Sequence, residues 1–214
     1  MEDIVIIPKP DNISYDDIHN LLLEAHKKNY KKGIVLGYTK FTGEEIMKKL
    51  GDEGQSWVAL CAGKLVGTTS VTFFKGTSWW NKGKKVAHGC FTGILNQYQG
   101  LGIMEELNQK KYEYIVNHGA DMNEGDTAET NYTVLKVFGR EGYKIVSYYA
   151  PPTDHYNVRI VKWINGCPFS DAFINRRFKI AKRLTHIQYK PGRIERSRFL
   201  SFFCNSLKKV LSIR

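Results

Sequence analysis

Gln97-Tyr98-Gln99-Gly100-Leu101-Gly102 is the stretch on which the reading of this chain turns. An apolar segment precedes it, Lys85-Val86-Ala87-His88-Gly89-Cys90-Phe91-Thr92-Gly93-Ile94-Leu95. After it, Ile103, Met104, Leu107, Tyr114 and Ile115 recur at helical spacing with Glu, Lys and Asn between them. The pattern reads as strand, glycine-containing turn, helix. Glycines in such a turn let the backbone approach a ligand closely, and the first unpaired amides of the helix face the gap with the positive end of the helix dipole behind them. A phosphate or pyrophosphate is the natural guest. A dinucleotide-binding fingerprint is excluded, because Glu105 stands where it needs a third Gly or Ala. A nucleotide-triphosphate loop is excluded by the absence of Gly-Lys followed by Ser or Thr. On the two glycines alone, a turn without a ligand stays open.

The 214 residues, 42% apolar and 13% aromatic, suit one ordinary domain with an appendage. Cys61, Cys90, Cys167 and Cys204 lie far apart with no C-x-x-C pair, so reduced structural thiols, a cytoplasmic setting and no metal site are expected. The apolar run from Ile4 to Ile7 is too short for a signal peptide or a span, and no other stretch approaches ~20 uncharged apolar residues. A soluble or at most peripheral protein is expected. The net charge of +11 is strongly localised: residues 174 to 214 hold twelve Lys or Arg against the single acid Glu195, leaving 20 basic and 20 acidic residues in positions 1 to 173.

Taken in order, Ile4 to Lys9 predicts a strand stopped by prolines. Ser14 caps a helix expected from Tyr15 to Asn29, and Thr42 opens a shorter one ended by Gly51. Gln55 to Cys61 and Lys64 to Phe74 predict a hairpin around Ala62-Gly63. The strand before the glycine turn and the helix to His118 follow. A weakly patterned strand is placed within Gly119 to Asp126, a short helix after Asn131, and two more strands at Lys144 to Ala150 and Val158 to Ile164.

Gln97-x-x-Gly100-x-Gly102 opening a helix resembles the acetyl-coenzyme A pyrophosphate loop of the GNAT superfamily of N-acetyltransferases. Asn131, an apolar helix, then Gly142-Tyr143 looks like that family's Asn…aromatic…Gly-Phe segment. The resemblance covers residues 1 to about 165 in element order and 86 to 150 in motif. It implies an α/β fold with a central mixed, mostly antiparallel sheet flanked by helices, in a domain over 1–165 followed by a basic helical extension over 166–214. It implies acetyl-coenzyme A as donor, held by Ile94 and Leu95 along the pantetheine arm, by Gln97, Gln99, Gly100, Leu101, Gly102 and Ile103 at the pyrophosphate, and by Asn131 and Phe138. The implied reaction is direct acetyl transfer to a primary amine.

Many members carry a Tyr at the position matching Phe138, as proton donor to the departing thiolate, and a phenyl ring cannot do that. Either another group serves, with Tyr143, Tyr148 and Tyr149 nearest in sequence and Tyr143 the candidate acid against a core-aromatic reading, or the thiolate leaves without a dedicated acid. His88 is the candidate base, on the expectation that Val86, His88, Cys90, Thr92 and Ile94 share the cofactor face. Glu124, Asp126 and Glu129 are candidates for binding a cationic amine or relaying its proton, against a solvated acidic loop. For the acceptor, a small or glycan-linked amine such as an amino sugar is expected; an RNA or protein amine, or a non-catalytic acyl-coenzyme A module, are the alternatives. In the tail, one apolar stripe runs Ile174, Phe178, Ala181, Leu184 and a second Phe199, Phe203, Leu207, Val210, Leu211. Basic amphipathic helices suit anionic membranes, phosphate-bearing substrates or, less favoured here, nucleic acid; packing on the body is the alternative. Oligomeric state is left open.

Overall fold

Among the described residues, the apolar periodicities of the sequence become sides of a sheet or stripes of helices. In the computed structural model, residues 3–31, 37–150 and 156–188 are described. The strands are β1 (Ile4–Pro8), β2 (Gln55–Cys61), β3 (Lys64–Lys75), β4 (Lys85–Ile94), β5 (Met122–Ala128), β6 (Lys144–Tyr149) and β7 (Asn157–Trp163). The helices are α1 (Tyr15–Ala25), α2 (Lys27–Tyr30), α3 (Gly43–Leu50), α4 (Ile103–Asn117), α5 (Tyr132–Arg140) and α6 (Asp171–Gln188). The sheet order is β1-β2-β3-β4-β5-β7-β6. Only β4 and β5 run parallel; every other neighbouring pair is antiparallel.

Local chemistry sets the ends. Ser14 and Thr42 both form capping boxes, with Asp17 and Glu45 returning hydrogen bonds to the cap amides. The helix expected to Asn29 breaks at His26, whose Nε2 lies 2.9 Å from the Thr92 carbonyl, so a tertiary contact competes with helical continuation. The strand after α4 begins at Met122 and runs to Ala128, displaced from the expected 119–126 because Gly119 and Ala120 close the helix with backbone bonds to Val116 and Ile115. β1 stops at Pro8, one residue early.

One layer packs α4 on the sheet through Ile103, Leu107 and Ile115 against Trp57, Ala59, Val66, Val71, Ala87 and Ile94. On the opposite side, α1 and α3 bury Ile18, Leu21, Leu22, Ile46 and Leu50 against Val58 and Phe91. Farther along that side, Val86, Met122, Val146, Val161 and Trp163 meet Trp79, Trp80, Phe169 and Ile174. Helix α6 is therefore seated on the sheet: Ile174 is buried, and Phe178 and Ala181 pack with Tyr148, Val158 and Ile160. The first predicted tail stripe is this packed face, while Arg176, Lys179 and Arg183 are exposed on the other. The second stripe, from Phe199 to Leu211, lies outside the described residues.

Candidate active site

Parallel pairing of β4 and β5 lasts three residues, Val86 with Met122, Ala87 with Asn123 and His88 with Glu124, after which the strands diverge. Beyond the pairing, β4 carries an irregularity. Thr68 pairs with Gly93 and Ser70 with Cys90, so Thr69 alone faces both Phe91 and Thr92, and Phe91 takes a φ of 47°. This is a β-bulge, and it shifts the side-chain alternation by one residue. Cys90 and Phe91 both turn to the α1 side, Thr92 and Ile94 to the α4 side. The expectation that Val86, His88, Cys90, Thr92 and Ile94 share one face is thus corrected. His88 and Ile94 lie on opposite faces of the sheet.

The glycine turn follows directly. Leu95 leads into a short 3-10 turn at Asn96–Tyr98, and Gln99 ties it back, its Nε2 donating to the Ile94 carbonyl at 3.3 Å and to Asn96 Oδ1 at 3.4 Å. Gly100 and Gly102 have φ of 83° and 78°, a region costly for residues with a Cβ, and a Cβ at either meets nothing within 4 Å. The first helical bond of α4 runs from the Glu106 amide to Gly102, and among the described residues the amides of Gly100 through Glu105 have no hydrogen-bond partner. The six are consecutive, and the last three open a 15-residue helix. Gln97 and Leu101 are exposed at the rim, and Ile103 is buried beneath it.

On the α4 face, the wall of the divergence is built from small residues and unspent polar atoms. Gly89 and Gly125 leave it without side chains, and Asn123 Oδ1 is buried with no partner while its Nδ2 donates to the Tyr143 hydroxyl at 2.6 Å. Burial pushes the Tyr143 phenol well above its usual range, reinforced by Glu141 and Tyr112, so it stays protonated. Tyr143 also packs edge-on against Phe138, ring centroids 4.8 Å apart, and its amide bonds the Phe138 carbonyl. Asn131 caps α5 through the Val134 amide at 3.5 Å. Sequence reasoning missed Lys111 on this face, 6% exposed and donating to Thr69 Oγ1 at 3.2 Å and Asn108 Oδ1 at 3.0 Å.

The opposite face is an ionic cluster. Glu124, 1% exposed, accepts from Trp80 Nε1 and Asn81 Nδ2, each at 3.2 Å, and pairs with Arg159. Arg159 also holds Asp126, and its guanidinium lies 5.9 Å from the centre of the Tyr149 ring. His88 sits between the carboxylates, Nδ1 3.4 Å from Glu124 and Nε2 3.7 Å from Asp126. Burial pushes the Glu124 carboxyl up, but His88, Arg159 and Trp80 together outweigh it and hold it below the usual carboxylate range. Glu129, the third acidic candidate, is drawn away to Lys182 of α6 at 3.3 Å. Cys90 is no nucleophile here: burial pushes its thiol up to about 12.

A mixed sheet that splays between two parallel strands, with a glycine turn and a helix after the first of them, is the fold of the GNAT acetyltransferases, and this chain has it. The sequence matches no protein-family model and no curated relative. Solved structures do match. A GNAT-family acetyltransferase from Staphylococcus aureus Mu50 is 16% identical, with a TM-score of 0.60 over 76% of this chain and 99% of its own. NAA60 of Arabidopsis thaliana, in complex with a bisubstrate analogue, is 14% identical, with a TM-score of 0.57 over 77% of this chain and 99% of its own. The NatC complex bound to Gag peptide and CoA contains a chain 11% identical, with a TM-score of 0.60 over 77% of this chain and 99% of its own.

Proposed function

We propose that the chain is an acetyl-coenzyme A-dependent N-acetyltransferase that moves an acetyl group directly to a primary amine. The observation that carries the reading is the run of unpartnered amides at Gly100–Glu105, joined to a strand divergence whose α4 wall has an unpaired acceptor at Asn123. A pyrophosphate needs several aligned donors and a helix N-terminus supplies them. The pantetheine arm carries amides that offer both donor and acceptor, which suits Asn123 Oδ1 and the exposed edge of β4 beyond the bulge. When bound, acetyl-coenzyme A supplies the activated acyl carbon.

The protein's own groups divide the rest. On the face away from α4, the His88 ring is placed to accept the proton of the attacking amine, and the carboxylates of Glu124 and Asp126 stabilise the imidazolium that forms. Two carboxylates against the single guanidinium of Arg159 leave this wall suited to a cationic acceptor. A small or glycan-linked amine, an amino sugar among them, is the acceptor class we favour, and the basic residues beyond position 174 fit one bearing phosphate. The two neighbours bound to a peptide and to a bisubstrate analogue keep a protein amine as the second reading.

Calorimetry with acetyl-coenzyme A, followed by thiol release over a panel of amino sugars, polyamines and peptides, tests the proposal. Binding with turnover on at least one amine is expected. Failure to bind refutes it, and binding without transfer to any amine makes the chain a non-catalytic acyl-coenzyme A module.

A further inference from the structure

The buried row of α4 is Ile103, Leu107, Lys111, Ile115, four residues at i, i+4 spacing of which one is a lysine. Burying an ammonium is costly, and a side chain of equal length without charge fills the same space at no such cost. Nothing in the packing repays it fully. The amino group has three donors and two acceptors, Thr69 Oγ1 and Asn108 Oδ1, and among the described residues it forms no ion pair. Thr69 is itself fixed by Thr92 at 2.7 Å, so the amine is oriented from the bulge.

Its position is informative. A Cβ built on Gly89 stands 3.3 Å from Nζ, and Gly89 is the first residue of β4 beyond the last pair with β5. The amine therefore lies at the vertex of the divergence, on the face shared with Asn123. Of the aromatic groups nearby, Phe138 has no hydroxyl, and the Tyr143 hydroxyl, which accepts from Asn123 Nδ2, is a phenol that burial pushes well above its usual range and so a poor match to a thiol. Burial pulls the amine down to about 8, partly offset by Glu141. That lies close to an ordinary thiol, about 8.5, so a proton moves between the two with little driving force either way.

We propose that Lys111 donates the proton to the thiolate that leaves on acetyl transfer. The inference rests on the acetyltransferase reading above. The lone pair of the acceptor nitrogen forms the new N–C bond, and the C–S bond breaks with its electron pair on sulfur. Lys111 Nζ gives sulfur a proton and becomes a neutral amine, while the proton lost by the acceptor nitrogen passes to His88. Solvent then reprotonates the one and deprotonates the other, so the products are amide and free thiol. Among the described residues the charged groups near Lys111 are few: Glu141 after α5 and, farther out, Lys162 of β7, lying 4.5 Å from the centre of the Tyr112 ring on α4; Cys90 of β4 points to the other face and stays a thiol.

The test compares the whole protein with Lys111→Met, using coenzyme A itself as probe. The ultraviolet absorbance of the thiolate gives the ionisation of the bound thiol as pH is raised. An ammonium beside sulfur makes that thiol about tenfold more ionised at neutral pH in the parent than in the variant, equal to a shift of about one pKa unit. Turnover should fall about 100-fold in the variant, with coenzyme A affinity held within about threefold and the fall of kcat above pH ~8 gone. A purely structural lysine moves the melting temperature and leaves the bound thiol unchanged. Identical thiol titrations in parent and variant, or an unchanged kcat, overturn the proposal while leaving the acetyltransferase reading intact. A parent that binds no coenzyme A overturns both. Lys111→Gln, which keeps polar contact with Thr69, carries the same measurements if the methionine variant does not fold.

Discussion

The two faces of the β4–β5 divergence handle hydrogen bonding in opposite ways. On the α4 face, six consecutive amides, Asn123 Oδ1 and one donor of Lys111 are unspent, and glycines stand where side chains would fill the space. On the other face Glu124 alone gathers Trp80, Asn81, Arg159 and His88. The amides of the exposed turn are hydrated until a ligand replaces the water, whereas a buried unpaired group such as Asn123 Oδ1 costs on the order of 1–3 kcal/mol, which a ligand would relieve. The paired face already has its electrostatics and needs only a nucleophile. The site is thus asymmetric: one wall keeps donors and acceptors that a ligand would use, while the other sets its charges against one another, with His88 Nδ1 left buried without a hydrogen bond.

Substitutions that block the unspent face should have the largest effects. Gly100→Val and Gly102→Val place a β-branched side chain at φ near 80° in front of the amides, and calorimetry should show acetyl-coenzyme A binding weakened at least ~100-fold, about 2.7 kcal/mol. Unchanged affinity in either variant would sink the central claim. Next, Glu124→Ala on the paired face leaves Arg159, Trp80 and Asn81 without their acceptor and should cost roughly 3–5 kcal/mol, read as a melting temperature lower by roughly 10 °C. Because the folded carboxyl is held below its ordinary value near 4.5, its stabilisation is present above that pH and is lost as pH falls through the lower folded value. Glu124→Gln should flatten that acid limb.

Lys111 sharpens the comparison from the other side. Its folded amine is depressed from 10.5 to about 8, so the unfolded chain binds more protons between those values and stability should rise with pH across that window. Lys111→Met should be more stable than the parent at neutral pH, by an amount that shrinks as pH climbs; chemical denaturation at several pH values measures it, and a variant less stable at pH 7 contradicts this. Tyr143→Phe removes a hydroxyl that accepts from Asn123 Nδ2 and, as a phenol raised by burial, matches a thiol poorly, so its loss of turnover should be smaller than that of Lys111→Met, within about tenfold in a side-by-side thiol-release assay. The smallest effect is far from the site: Ser14→Ala removes one capping box from α1 and should cost about 1 kcal/mol without altering coenzyme A affinity.

The strand–turn–helix, the hairpin, the caps and the short helix after Asn131 were all legible because each depends on local pattern and glycine chemistry. Three features were not. Phe91 at positive φ has no local signature, since a phenylalanine gives no warning of a bulge; the register against β3 imposes it, and with it the reversal of faces that separates His88 from Ile94. The partners of Glu124 come from the loop of Trp80 and Asn81 and from Arg159 on β7, two segments far apart in sequence that only the folded sheet brings together. Lys111 did leave a trace: it stands four residues after Leu107 and four before Ile115, in register with the buried row. A lysine on an apolar stripe is easily taken for a side chain that reaches back to solvent.

The strand order carries a consequence for how the protein is made. β6 is synthesised before β7, yet among the described residues its only neighbour in the sheet is β7, which separates it from β5. A chain emerging from its amino end can therefore assemble β1 to β4 and α4 early. The last third waits, for β6 has no strand to join until residue 163 is out, and the cover of Val146, Tyr148 and Trp163 is incomplete until α6 follows. The half of the molecule that carries Glu124, Asp126 and Arg159 is thus the last to close, and the interval before it does is when an aggregation-prone strand edge stands open.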